Sequence, residues 1–441
     1  MKIFNRAIAV LLTLILVSGS FTSLAADSEK NYCKYEKVML LGDSEASGFT
    51  DYGDEMSEFT YVPDSYAAYV ANELGAELIP MACPGFRTIE LRYMLDDTYR
   101  PDDKYLFSEV PRTPKEEIIA KSPAMRQAIK DSDLIMIGIG GNDWGAYLGW
   151  VMEDVQFENN LPEEFKSELR EFLKNATFED DIIGSIIQIA DYCNALDELI
   201  TALPEAMKYA FSNLRENWNY IIEYIYENNP DVTLVVVGMF PTYLKTEEGA
   251  PDIVAEPDPL AVIVEDEIIA YGNKHMIENR EKYGYIYVDT AGTVVEICHP
   301  TVAGHRHIAD RILEALPDAS FAYSEDVSIA SPYYKAVEYL TLNGIMEGTS
   351  QTTFSPDSPL TKDVLTKALN KITNNCDVTD NTGKVSGLSM AVTVFSATEK
   401  KNITDFLSAF KFAVKIFFSY GSTITRAEAA EILYSYIQNF C

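Results

Sequence analysis

The chain has 441 residues, 68 acidic against 35 basic, and a formal net charge of −33 at pH 7. Such a polyanion is repelled by a phosphate backbone, which excludes nucleic acid as a partner, and the same repulsion argues against an anionic lipid surface. The length predicts two domains.

Lys2 and Arg6 precede an apolar run from Ala7 to Val17 and a small-residue stretch ending Ser23-Leu24-Ala25-Ala26. This is the pattern of a secretory signal peptide over residues 1–26, cleaved after Ala25 or Ala26. The run is too short to span a bilayer, and no other stretch is long and apolar enough to do so. With no cysteine at the end of the segment for lipid attachment, the mature chain is expected to be secreted and soluble.

Four short apolar runs then end in residues that carry chemistry. Val38 to Leu41 stops at Gly42-Asp43-Ser44, Glu77 to Met81 at Ala82-Cys83-Pro84-Gly85, and Leu134 to Ile139 at Gly140-Gly141-Asn142-Asp143. Tyr285 to Asp289 is followed by Glu296-Ile297-Cys298-His299-Pro300-Thr301 and by Gly304-His305. Any one block reads equally as turn residues closing a strand. Together they supply the parts of acyl transfer. A serine hydroxyl needs a base to take its proton. Imidazole titrates near the working pH and can return that proton to a leaving alkoxide. The oxygen that becomes negative needs donors already aimed at it.

The four blocks in this order resemble the SGNH, or GDSL, hydrolase superfamily, over roughly Lys37 to Leu316. The resemblance implies a flavodoxin-like three-layer α/β/α sandwich around a parallel sheet of about five strands, near residues 37–42, 76–82, 134–140, 233–240 and 285–289. It implies Ser44 as nucleophile, His299 as base, and an oxyanion hole from the backbone N–H groups of Ser44 and Gly85 with the side-chain amide of Asn142. No cofactor and no metal are implied. The family carries Asp three residues before its histidine where this chain has Glu296. Glu296 is taken as the acid of the triad, with Asp289 or a backbone carbonyl as rivals. Arg87 and Thr88 are expected at the mouth of the site. The fold would also bring Cys83 and Cys298 to one rim, where a disulfide becomes possible after export.

Of the other histidines, His275 is expected on a helix before the last strand and His305 as a structural residue at a helix start. The i, i+2 spacing of His305 and His307 does not make a zinc pair. None of the six cysteines, Cys33, Cys83, Cys193, Cys298, Cys376 and Cys441, forms a paired C-x-x-C metal pattern.

About ninety residues separate Asn142 from the strand run Val232 to Val237, more than such a fold requires, so a helical insertion is expected at about 145–230. Phe165, Leu169, Phe172 and Leu173 form an apolar helical stripe. Residues 151–182 hold ten acids against three bases. The segment either arches over the site as a cap or packs away from it. Trp144 and Trp150 belong to the core by default, with sugar stacking as the rival.

Pro317 to Ser320 reads as a linker closing a hydrolase domain of residues 30–320. Residues 325–441 then run through a helix at Tyr333 to Leu340, Gly344-Ile345-Met346-Glu347-Gly348, Phe354-Ser355-Pro356 and Leu360-Thr361-Lys362-Asp363. A second copy appears at Phe412 to Lys415 and Ile424-Thr425-Arg426-Ala427-Glu428, with Thr361 and Thr425 64 positions apart. This all-α module resembles about two degenerate S-layer homology repeats. That family's Thr-Arg-Ala-Glu helix start implies Thr425 and Arg426 as binders of anionic cell-wall polysaccharide, by the preference of a helix N-terminus and an Arg fork for carboxylates.

The reading is therefore a secreted serine esterase acting on acyl esters, acetyl included, of carbohydrates or lipid-like substrates, held at a Gram-positive wall by its tail. The alternatives are a wall-associated binding or structural protein with an inactive hydrolase-like domain, and an acyltransferase using the same site.

Overall fold

A computed structural model describes residues 32, 35–49, 59–103, 106–107, 114–145, 161–175, 182–244, 246–247, 250–254, 259–296, 298–373, 383–398 and 403–440. The expected signal peptide, Cys33, Cys376, Cys441 and Trp150 lie outside these residues. The chain divides into two compact units, one of Lys34–Leu316 and one holding Pro317–Cys441.

The first unit is built on five parallel strands in the order β2-β1-β3-β4-β7: β1 Lys37–Gly42, β2 Glu77–Ala82, β3 Leu134–Gly138, β4 Thr233–Val237 and β7 Ile286–Val288. A separate antiparallel pair joins β5 Thr246–Glu247 to β6 Ala250–Val254. β1, β3 and β4 are near-continuous runs of Val, Leu, Ile and Met, and their side chains are buried on both faces. Helices cover a parallel sheet on both sides, which is why alternation is missing from these strands. The strand order reverses between β1 and β3, and open sheets of this topology bind ligands at the carboxyl ends of the strands flanking that point. Ser44 follows β1 and Asn142 follows β3.

The helices of this unit are α1 Ser44–Ser47, α2 Tyr66–Leu74, α3 Thr88–Leu95, α4 Lys115–Ile119, α5 Ser122–Asp131, α6 Glu163–Asn175, α7 Ile182–Tyr192, α8 Leu196–Asn228, α9 Pro259–Tyr283 and α10 Val302–Ala315. The insertion forms α6, α7 and α8. Phe165 and Leu169 of α6 are buried in the same apolar cluster as Trp218 of α8 and Ile135 and Ile137 of β3, with Phe172 packed against it. Phe165, Leu169 and Phe172 of the insertion therefore belong to the core.

The second unit contains α11 Tyr334–Leu342, α12 Lys362–Thr373, α13 Gly387–Ala397, α14 Ile403–Ser419 and α15 Arg426–Phe440 around its own apolar cluster. Three of its segments meet in a closed ring of backbone hydrogen bonds. Leu360 N–H donates to Ile424 O at 2.7 Å, Ile424 N–H to Val385 O at 2.8 Å, and Val385 N–H to Leu360 O at 3.0 Å. Each ring residue precedes a hydroxyl that accepts an N–H three residues on: Thr361 from Val364, Ser386 from Ser389 and Thr425 from Glu428. The sequence suggests two units, whereas three equivalent helix starts close on one another. The middle one escaped because Val385-Ser386-Gly387-Leu388 keeps only the apolar-hydroxyl pair and none of the Thr-Arg-Ala-Glu pattern.

Candidate active site

β1 ends at Gly42, where the backbone passes so close to β3 that a Cβ would stand 1.9 Å from the Gly138 carbonyl oxygen. The chain then turns into α1, with Asp43 as its N-cap and the Asp43 Oδ1 accepting the Glu45 N–H at 3.1 Å. Because Asp43 does the capping, the Ser44 hydroxyl is left for other work. It lies 2.8 Å from His299 Nε2, between residues 255 positions apart, with Ser44 3% and His299 4% exposed. The Ser44 N–H opens the helix, so it has no intrahelical acceptor.

β2 ends in the turn Cys83-Pro84-Gly85-Phe86, closed by Phe86 N–H to Cys83 O at 3.1 Å, with Gly85 at φ +81°. Proline second and a positive φ third define a type II turn, which is the local reason for glycine at 85. The turn bond does not use the Gly85 N–H, which has no acceptor among the described residues. Asn142 Nδ2 donates to the Phe86 carbonyl at 3.1 Å, so one amide hydrogen ties the Asn142 block to this turn and the other has no acceptor among the described residues.

The histidine arrives on a tight loop. Val295 and Pro300 pair as an antiparallel bridge, and the Glu296 N–H donates to His299 O at 3.1 Å. Val295 N–H is anchored to Leu244 O, and Thr301 caps α10 through the Gly304 N–H. The loop brings the Glu296 backbone into contact with His299, while His299 Nδ1 lies 3.4 Å from Cys298 Sγ. Asp289, the rival acid, is exposed and accepts the Ala291 N–H in a turn after β7.

Behind these groups stands a buried polar frame that the sequence did not announce. Asp143 accepts the Thr88 N–H at 2.9 Å and the Thr88 hydroxyl at 2.6 Å, tying the Asn142 block to the start of α3. Arg87, 1% exposed, pairs with Glu90 at 2.7 Å and Asp103 at 3.2 Å. Burial works against its charge, but Glu90 and Asp103 more than offset this and hold its pKa above the usual value. Arg87 and Thr88 therefore brace the site from within and do not line its mouth. Burial pushes the Asp43 carboxyl up to about 7, against the opposing pull of His299 and the Glu45 N–H. Its Oδ2 is buried with no hydrogen-bond partner among the described residues. Burial likewise raises Asp143 to about 7, against its bonds from Thr88. The signal for Asp143 was its place directly after Asn142.

The family model of the GDSL-like lipase/acylhydrolases matches residues 38–312, more than half of the chain. The chain belongs to that family. This acylhydrolase is a carboxylic ester hydrolase, and its second unit carries a match to the S-layer homology domain at residues 325–363, a cell-surface anchoring module. Among solved structures, it is similar to an extracellular lipase from Streptomyces rimosus, with 15% identity, 64% of this chain and 100% of the other covered, and a TM-score of 0.37. A phospholipase A1 from Streptomyces albidoflavus gives 16% identity, 64% and 100% coverage, and 0.37. An aryl esterase from M. smegmatis gives 14%, 64% and 100%, and 0.30. A search of curated proteins gave no match.

Other residues of the acylhydrolase take structural places. His305 is buried, its Nε2 3.5 Å from the Phe49 carbonyl, and burial lowers it to about 4. His275 sits within α9 against Asn219 and Asn279, half-buried, and burial lowers its pKa. His307 contacts the Ala291 carbonyl, and no metal cluster exists among the described residues. Cys83 and Cys298 are not joined by a disulfide in this structure, and Cys83 is buried with its Sγ 3.8 Å from the Pro84 carbonyl. Trp144 is buried in the core.

In the second unit, Arg426 turns inward, and the hydroxyl of half-buried Thr425 is engaged in a helix cap. Arg426 is 6% exposed; its Nε donates to Phe354 O at 2.8 Å, its Nη2 to Glu347 O, and its guanidinium stacks on the Phe354 ring. Thr425 forms a capping box with Glu428: its hydroxyl accepts the Glu428 N–H, and its own N–H donates to Glu428 Oε2 at 2.7 Å. Arg426 stitches the Gly-Ile-x-x-Gly and Phe-x-Pro segments to the last helix, because a buried guanidinium needs carbonyl acceptors more than it needs solvent.

Proposed function

We propose that the protein is a secreted serine esterase that cleaves acyl esters, acetyl included, of carbohydrates or lipid-like substrates through Ser44, His299 and Glu296. The observation carrying this reading is the 2.8 Å contact of Ser44 Oγ with His299 Nε2. His299 takes the hydroxyl proton as Ser44 attacks the ester carbonyl. The oxyanion is met by the N–H groups of Ser44 and Gly85 and by the Asn142 amide hydrogen not given to Phe86. His299 then protonates the leaving alkoxide, and water, or a sugar hydroxyl in a transferase, releases the acyl group by the reverse sequence. Glu296 holds the imidazole tautomer from the neighbouring loop position.

The catalytic reading accounts for this contact between loops 255 positions apart, for which a purely structural role supplies no chemistry. Ser44→Ala, assayed on a panel of p-nitrophenyl esters and acetylated glycans, is expected to lower kcat by about 10⁵ or more. Equal turnover by the variant would sink the serine mechanism.

Anchoring at a Gram-positive wall completes the proposal. With Arg426 turned inward, anionic wall polysaccharide is better matched to a cavity of about 350 Å³ between α11, α14 and α15, lined by Lys335, Lys415, Phe412, Tyr420, Tyr434 and Glu431. Ammonium groups beside aromatic faces suit an acidic sugar. Lys335→Ala is expected to weaken pull-down on purified wall glycan.

A further inference from the structure

Against a chain charge of −33, residues 384–425 hold Lys384, Lys400, Lys401, Lys411 and Lys415 against only Glu399 and Asp405, a local net of +3. Most of this stretch is the antiparallel pair α13 and α14, joined at its open end by the Gly387 N–H to Gly421 O bond. α14 buries Ala409, Ala413 and Ile416 in the module core. A helix with one buried face ordinarily presents polar residues on the other. Here Leu407 and Phe410, and about two turns later Phe417 and Phe418, are exposed, Phe418 to 74%. Leu388 of α13, also exposed, lies at the same end of the pair as Phe417 and Phe418. Exposed Lys411 and Lys415 run along one edge of this apolar stripe, and Lys384 stands at the start of α13.

We infer that the outer face of α13 and α14 docks on the surface of a bilayer containing anionic phospholipid. The composition is that of an interfacial helix: large apolar side chains enter the acyl boundary, and flanking lysines reach the headgroup phosphates. The length and hydropathy of α14 do not make it a membrane span, so it lies on the surface. Overall charge does not forbid this, because salt screens charges more than about 10 Å away and leaves the local lysines to decide. Solvation alone would not place two adjacent phenylalanines in water beside a lysine edge; a bilayer surface satisfies both.

The test is co-sedimentation of the full chain with vesicles of phosphatidylcholine alone and of phosphatidylcholine with phosphatidylglycerol. Wild type and variants share the N-terminal segment, so any difference isolates α14. Wild type is expected to bind the anionic vesicles at least tenfold better than the neutral ones. Phe417→Ser with Phe418→Ser should abolish binding, and Lys411→Glu should weaken it about tenfold, while esterase activity and the circular dichroism spectrum stay unchanged. Lys335→Ala should not alter vesicle binding. Binding that ignores lipid charge, or survives the double substitution, overturns the proposal. So does a concentration-dependent dimer that the double substitution disperses without any vesicle binding, which would assign the stripe to a second copy.

Discussion

Two helix starts in this molecule place a hydroxyl among orphan backbone N–H groups, and they use it in opposite ways. At α1 the cap is Asp43, one residue ahead of Ser44, so the serine hydroxyl is free to meet His299. At α15 the cap is Thr425 itself, and its hydroxyl is spent on the Glu428 N–H. A shift of one residue between cap and hydroxyl separates chemistry from architecture. The adjoining arginines repeat the lesson. Arg87 and Arg426 both follow motif positions and both turn inward, one to carboxylates and one to carbonyls.

The largest test of this contrast lies on the catalytic side. If Glu296 holds the imidazole, Glu296→Gln is expected to lower kcat by about 10⁴ on the best ester found, with the fold intact by circular dichroism. An unchanged rate would move the orienting role to the Cys298 side of His299 Nδ1 or to a backbone carbonyl.

The next test asks whether the Asp43 cap is as costly to charge as its burial implies. A carboxyl raised from 3.8 to about 7 stabilises the fold below pH 4 and loses that contribution as pH rises toward 7, because the native state keeps a proton the unfolded state releases. Urea unfolding free energies at pH 5 and pH 8 should show wild type losing more stability than Asp43→Asn, by at most about 3 kcal/mol. Asp143 titrates in the same window, so the difference reads Asp43 together with its coupling to His299 and Asp143.

On the anchoring side the effects should fall on folding alone. Arg426→Ala strips hydrogen bonds from the Phe354 and Glu347 carbonyls and is expected to destabilise the C-terminal unit by about 2–4 kcal/mol in urea unfolding, without changing ester turnover. Thr425→Ala should cost about 1 kcal/mol by the same measurement, the value of a cap. If either variant lost wall binding at unchanged stability, the contrast between the two helix starts would break.

Much of this was legible in the chain. The strands of the main sheet announced themselves as uninterrupted apolar runs, and the Ser44, Gly85, Asn142 and His299 blocks each closed one or followed the last. What stayed hidden depended on side-chain direction. Arg87 looks like a mouth residue until Glu90 and Asp103 are seen around it, and Arg426 looks like a ligand fork until Phe354 lies beneath it. Asp143 was in plain view but had no assigned work, since its partner Thr88 is 55 positions away. The third helix start failed to register because Val385-Ser386 is too short a pattern to stand out from any loop. Net charge is silent on local variation: a sum over the chain conceals the basic stretch of residues 384–425.

The ring that joins Leu360, Val385 and Ile424 has a consequence for the order of assembly. Each segment donates to one neighbour and accepts from the other, so removing any one leaves an orphan donor and an orphan acceptor on the remaining two. The anchor is therefore closer to a keystone arch than to a stack of repeats. During synthesis the first two segments must wait for Ile424 to emerge, and a chain cut before it forfeits the closure of all three while the hydrolase unit, already finished, keeps its own core.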